Sequence, residues 1–209
     1  MHISEGVLSA PVLLTGGALA AAGVAIGLKK IKDDQIALCG LLSAAFFVGS
    51  LIHVPAGPAS AHLLLTGLLG VALGWAAFPA IFVALLLQAL LFQYGGLTTL
   101  GVNTFCMGLA AVLSWLAFRL VYGLWPTMAG LKVAAFCGGF LGAAFGSILA
   151  ALALIFTDEG FFAAAGILLA AHLPVMLIEG LITMFATWFV ARVSPDALSL
   201  PHPVNQRSL

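Results

Sequence analysis

The sequence predicts an all-α membrane protein with seven transmembrane helices, its N-terminus outside and its C-terminus cytoplasmic. Three observations predict it. The 209 residues are 63% hydrophobic and 7% charged, with a mean hydropathy of +1.22, against roughly 25% charged residues in soluble chains. Apolar stretches near the ~20 residues needed to cross a bilayer recur along the whole chain. Threaded back and forth through a membrane, those stretches sort the basic residues to one side. Zero net charge gives no reason to expect a nucleic acid or an acidic partner; the lipid bilayer is the expected surrounding. Residues 1–193 read as a single transmembrane domain, and 194–209 as a polar cytoplasmic tail.

At the start of the chain, Met1 to Pro11 contain no Lys or Arg, so the basic n-region of a signal peptide is missing. Met1 is therefore expected to be the first residue of the working protein, deformylated. The apolar stretches run near Pro11–Leu28, Ile36–Ile52, Ala61–Phe78, Pro79–Phe92, Asn103–Val121, Val133–Phe156 and Phe161–Val190. Each is expected to be a helix, because an isolated strand leaves its backbone unpaired in lipid. The fourth reaches only about 21 Å of a roughly 30 Å core, so it must begin deep in an interface or lean on its neighbours. The seventh contains Pro174, and its first turns are expected along the surface.

With seven crossings, Lys29, Lys30, Lys32, Lys132, Arg192 and Arg207 fall on the inner side, and Arg119 in a helix end arriving there. That is the positive-inside distribution. His2, Glu5, His53, Asp158 and Glu159 stay on the outer side. Glycines recur at intervals of four at Gly23 and Gly27, Gly70 and Gly74, and Gly138, Gly142 and Gly146. Such stripes let helices approach closely inside one bundle. Cys39, Cys106 and Cys137 lie singly in apolar runs and read as small core fillers. The tail Ser194–Leu209, with three prolines, reads as a loose polar end; His202 in it is given no role.

The chemistry is expected at Met1-His2. A free Met1 amine, the His2 backbone nitrogen and the His2 Nδ1 can close adjoining five- and six-membered chelate rings around one ion. Three nitrogens held so lie nearly in a plane, which suits Ni(II) or Cu(II). Removal of the amide proton also favours these ions over Zn(II) and high-spin Co(II). Copper would win on affinity, so cellular availability must favour nickel. A fourth nitrogen is expected from His62, at the end of the segment His53-Val-Pro-Ala-Gly-Pro-Ala-Ser-Ala-His62. Pro55, Gly57 and Pro58 exclude a regular helix there. His53 has no place in a filled plane and reads as a residue on the ion's way in, or one supporting a ligand. Binding should release protons and weaken near pH 6.5 and below.

Within the apolar stretches, Glu179 is the only acid, and His172 lies seven residues earlier on the same helix face. An ionisable group inside a membrane is a functional candidate. For Glu179 the favoured role is structural, as a partner of neighbouring backbone or of Asn103 and Gln88; His172 could support the metal site. The segment from Gln88 to Asn103, with Gly95, Gly96, Gly101, Thr98 and Thr99, reads as a polar, glycine-bent loop. It could close over the site, with Asn103 bonding the His2 peptide or ring, or be a simple turn. There is no GxxxxGK[ST] phosphate loop, so the chain is not an ATPase, and no HExxH motif or carboxylate pair of a metallohydrolase.

Five segments carry a resemblance that runs over nearly the whole chain: Met1-His2-Ile3-Ser4-Glu5-Gly6; Ala59-Ser60-Ala61-His62; Gln88-Ala89-Leu90-Leu91-Phe92; Gly95-Gly96-Leu97-Thr98-Thr99-Leu100-Gly101-Val102-Asn103; and Glu179-Gly180-Leu181-Ile182-Thr183. Together they resemble the CbiM/NikM family, the metal-capturing membrane subunits of energy-coupling factor (ECF) importers for cobalt and nickel. The resemblance implies an S-component bundle with one added N-terminal helix in a bacterial or archaeal cell membrane. It implies ion binding through Met1, His2 and His62. It also implies partners: an ECF transmembrane (T) subunit, ATP-binding cassette ATPase subunits and a small accessory membrane subunit. Around His62 the chain reads Ala-Ser-Ala-His-Leu, closer to the nickel-type members than to the cobalt-type Ser-Cys-Ser-His-Pro-Thr-Gly. Ni(II) is thus the expected substrate and Co(II) the alternative. A stand-alone carrier or channel would want ionisable residues strung across the bilayer, and Glu179 with His172 makes a poor string.

Overall fold

A computed structural model describes residues 2–51, 53–56 and 59–194, with the side chains of 53–56 and 59–61 outside the description. Met1, the side chain of His53 and the tail from 195, with His202 and Arg207, therefore lie outside the described residues.

All seven apolar stretches are helical over most of their length. The helices are α1 (Ala10–Lys30), α2 (Ile36–Gly49), α3 (Thr66–Leu73), α4 (Ala77–Phe92), α5 (Leu100–Leu124), α6 (Met128–Ile155) and α7 (Phe162–Val193). Five segments are long and apolar enough to cross a membrane: α1, the run Thr66–Phe92, α5, α6 and Glu159–Val193. α2, at 14 residues, spans only about 21 Å. Pro174 sits inside an unbroken α7, so its first turns belong to the same helix as the rest.

The third stretch departs from expectation. It does not enter a helix at Ala61. Residues His53–Ala56 (β1) and Ala59–His62 (β2) pair as an antiparallel hairpin with His53 opposite His62, and α3 starts only at Thr66. Two short strands can satisfy one another's backbone where a lone one could not. Leu65, just before the helix, has a left-handed backbone at φ 50°.

A 3-10 turn, Gly74–Ala76, joins α3 to α4. Run straight, Thr66–Phe92 would be about 40 Å long. Yet His62 and Gln88 both touch His2, so the chain must reverse between α3 and α4. Gly74 makes the reversal at φ +56°, a conformation glycine adopts without steric cost. The start of α3 and the end of α4 thereby converge on the N-terminus.

Polarity is turned inside out along α7. Leu173, Leu177, Ile178, Leu181, Phe185 and Phe189 are exposed, while His172, Glu179, Thr183 and Thr187 are buried. Glycines close the helix contacts within the chain. A Cβ on Gly67 would strike Gly139, one on Gly142 would strike Gly67, and one on Gly23 would strike the Phe78 ring. At the opposite end from His2, the Lys132 and Arg192 cations lie 5.0 and 4.7 Å from the Trp188 ring centre. Arg119 lies 5.0 Å from that of Trp115.

Candidate metal site

Residues 2–9 fold back over the helix ends instead of extending from them. Gly6 turns the chain at φ +78°, and Ile3 and Leu8 are buried at 5% and 8% exposure. The Glu5 amide donates to the Gly95 carbonyl at 2.9 Å, and the Thr98 amide donates to Glu5 Oε1 at 3.1 Å. The Ser9 amide reaches Thr157 Oγ1 at 3.3 Å. Gly95 and Gly96 have φ of +74° and +128°, and a Cβ on Gly96 would overlap the Glu5 side chain. The glycine pair is thus required both for the backbone turn and for room to admit the terminus.

Asn103, in the first turn of α5, grips Ile3 at two points. Its Oδ1 accepts from the Ile3 amide at 3.1 Å, and its Nδ2 donates to the Ile3 carbonyl at 3.1 Å. The Ile3 amide belongs to the His2–Ile3 peptide, so Asn103 holds the backbone just after His2. The ring goes to Gln88 instead.

Gln88, fully buried in α4, lies 2.8 Å through Oε1 from His2 Nε2. Its amide nitrogen donates to the Phe47 carbonyl at 3.0 Å and to Ser50 Oγ. Those contacts fix which end of the amide faces His2. Since Oε1 can only accept, His2 Nε2 carries a proton, and in the neutral ring the lone pair is then on Nδ1. Nδ1 is the atom a terminal chelate uses. Sequence reasoning placed Gln88 in the right segment but missed its role, because nothing local says that α4 ends beneath the N-terminus.

His62 is buried at 3% exposure, and its ring stacks on that of His2 with centroids 4.9 Å apart and planes 23° from parallel. Its Nδ1 lies 3.0 Å from the Leu63 carbonyl. A carbonyl only accepts, so the proton sits on Nδ1 and the lone pair on Nε2. Lying at the end of β2 outside the membrane-spanning helices, His62 is pushed down to a pKa of about 4 by burial; the Leu63 bond opposes this and nearby His172 adds to it. The expected weakening near pH 6.5 therefore does not come from this ring, which stays neutral well below that pH.

Of the remaining candidates, His53 meets His62 across the hairpin register. His172, in α7, is 2% exposed with Nδ1 2.8 Å from the Leu168 carbonyl and no partner at Nε2 among the described residues. Glu179 is fully buried and bonds neither Asn103 nor Gln88, both of which are engaged at the N-terminus. Its Oε1 accepts from the Leu64 and Leu65 amides at 2.6 and 2.8 Å. Among the described residues no three His, Cys, Asp or Glu side chains are grouped to hold an ion. Among the described side chains, the imidazoles of His2 and His62 are the nitrogen donors brought together here.

Residues 2–197 match the family CbiM, described as the cobalt uptake substrate-specific transmembrane region. The chain belongs to the CbiM family. A relative from Haemophilus influenzae, named a putative metal transport protein, is 39% identical and aligned over 95% of this chain and 97% of its own. A CbiM cobalt transport protein from Sorangium cellulosum is 37% identical, over 95% and 94%. Among solved structures, a crystal structure of a truncated transition metal transporter superposes with a TM-score of 0.79 at 27% identity, covering 92% of this chain and 99% of that one. As a CbiM-family protein the chain is a substrate-specific membrane component of metal uptake, consistent with a transporter subunit and not an enzyme, in a multi-pass cell-membrane setting.

Proposed function

We propose that this chain captures Ni(II) from outside the cell for an ATP-driven ECF importer. The ion is held in a plane by the Met1 amine, the His2 amide nitrogen, His2 Nδ1 and His62 Nε2. One observation carries the reading: two stacked imidazoles whose hydrogen bonds leave the lone pairs on Nδ1 of His2 and Nε2 of His62. Gln88, Asn103 and the Leu63 carbonyl add no charge to this cage. Deprotonating the His2 amide offsets one of the ion's two charges, a step Ni(II) promotes and hard ions do not. His53 and His172 then serve the ion's approach, and Asn103 holds the His2 peptide in place.

In this reading the chain crosses the membrane seven times as an S-component bundle with an added N-terminal helix, its N-terminus outside. Support comes from Lys29, Lys30, Arg119, Lys132 and Arg192, all at helix ends that alternate threading assigns to the inside. The T subunit, the ATPase subunits and a small accessory membrane subunit are the partners that the ECF resemblance implies, and the chain's lack of a phosphate loop fits separate ATPase subunits.

Co(II) is the second reading, favoured by the family description and by relatives named for cobalt. Calorimetry of both ions on protein with a native N-terminus separates them. Tighter Ni(II) binding with the yellow absorption of low-spin planar nickel is the expected result. Tighter Co(II) binding would reverse the choice of substrate. Accumulation of metal in vesicles containing this chain alone would point to a stand-alone carrier.

A further inference from the structure

Between β2 and α3 the backbone does something that its own sequence does not support. Leu65 adopts a left-handed conformation at φ 50°, uncommon for a residue with a bulky side chain. The Leu64 and Leu65 amides there belong to neither hairpin nor helix, and no side chain of the junction caps α3. Such a conformation persists only when its surroundings over-determine it. Glu179 does so from another helix: its Oε1 takes both amides, at 2.6 and 2.8 Å, with the carboxylate fully buried. The approach is made possible by glycine, because a Cβ on Gly139 of α6 would collide with the Glu179 carbonyl and one on Gly67 of α3 would collide with Gly139.

We infer that Glu179 is a positioning residue for metal capture, holding the junction that aims His62 at His2. The connection is short. Glu179 fixes Leu64 and Leu65, and the carbonyl of adjacent Leu63 takes the proton-bearing Nδ1 of His62. Releasing the two amides lets the junction relax and swings Nε2 away from His2, while leaving the His2 chelate intact. α7 thereby gains a say in the site without supplying a ligand to it. This inference rests on His62 being a ligand.

The test is a double-mutant cycle on Ni(II) affinity by calorimetry, with the melting temperature of the metal-free protein measured alongside. Glu179→Met, similar in length and without an acceptor, should weaken binding about 10- to 100-fold, as loss of a ligand's support does. Glu179→Gln keeps an acceptor oxygen and should restore most of the affinity. In a His62→Ala background, Glu179→Met should cost nothing further, because its effect passes through the missing imidazole. Full affinity in Glu179→Met, additive losses in the double variant, or Glu179→Gln as weak as Glu179→Met would each overturn the inference. Should Glu179→Met fail to fold, Glu179→Asp is the second variant: one methylene short, it should lose affinity to a lesser degree, and full affinity would again overturn it. Unchanged binding in His62→Ala alone would instead overturn the ligand assignment on which this rests.

Discussion

His2 and His62 face each other across 4.9 Å, yet they are held by opposite means. His2 comes from a terminus with no secondary structure, and side chains of other elements position it: Gln88 of α4 takes the ring, Asn103 of α5 takes the next peptide, and Gly95 and Gly96 make room. His62 comes from a paired strand, and backbone positions it: its ring bonds the next residue's carbonyl, and the junction beyond is anchored by Glu179. A chain end has no regular structure to lock it, so its precision is borrowed from rigid helices. The hairpin already has a ladder and needs only an anchor where the ladder stops.

The largest expected effect would break the comparison from the terminal side. Acetylating the Met1 amine, or extending the chain ahead of it, should reduce Ni(II) affinity by at least about 1,000-fold in calorimetry, since the five-membered ring that anchors the ion on the His2 amide closes on that nitrogen. Undiminished affinity would remove the N-terminus from the site. Next comes the strand side. His62→Ala should cost roughly 100-fold, and His53→Ala no more than about threefold; equal losses would contradict the separate roles of the two histidines.

A smaller effect sharpens the account of how His2 is held. Gln88→Leu removes the acceptor that keeps the His2 proton on Nε2 and should cost about 10-fold in affinity, with ¹⁵N NMR of the metal-free protein showing the two His2 tautomers mixed. A single tautomer in Gln88→Leu would show that Gln88 does not set it. Gly96→Ala forces a Cβ onto Glu5 at a positive φ. It should lower the melting temperature by several degrees and weaken metal binding, whereas Gly17→Ala, with open space around it, should do neither.

The smallest effect concerns protons. An unfolded chain protonates His62 near pH 6.5, and the folded chain refuses that proton until about pH 4. The folded state therefore binds fewer protons in this window, and stability should fall as pH drops through it. Melting curves of the metal-free protein should show the decline between pH 6.5 and 4, reduced in His62→Ala; an identical decline in both would place its origin elsewhere.

Much of this was legible in the amino-acid order, because it depends on local chemistry and on the solvent. Apolar length and the scarcity of charge make a helical membrane protein whatever the arrangement. The donors of the proposed Met-His chelate likewise sit on adjacent residues, so that proposal needs no distant contact to be framed. The approach of His62 to His2 and of Asn103 to the peptide after His2 were expected, but most relations between distant segments lay beyond reach. That the Ala61 stretch begins as a paired strand, that Gln88 lies under His2, and that Glu179 serves the Leu64–Leu65 junction were decided by tertiary structure. The reason is physical: a hydrogen bond between residues about a hundred positions apart leaves no periodicity in either segment. The reversal at Gly74, the turn at Gly95 and Gly96, and the glycine-lined contact of α3, α6 and α7 bring such partners within reach.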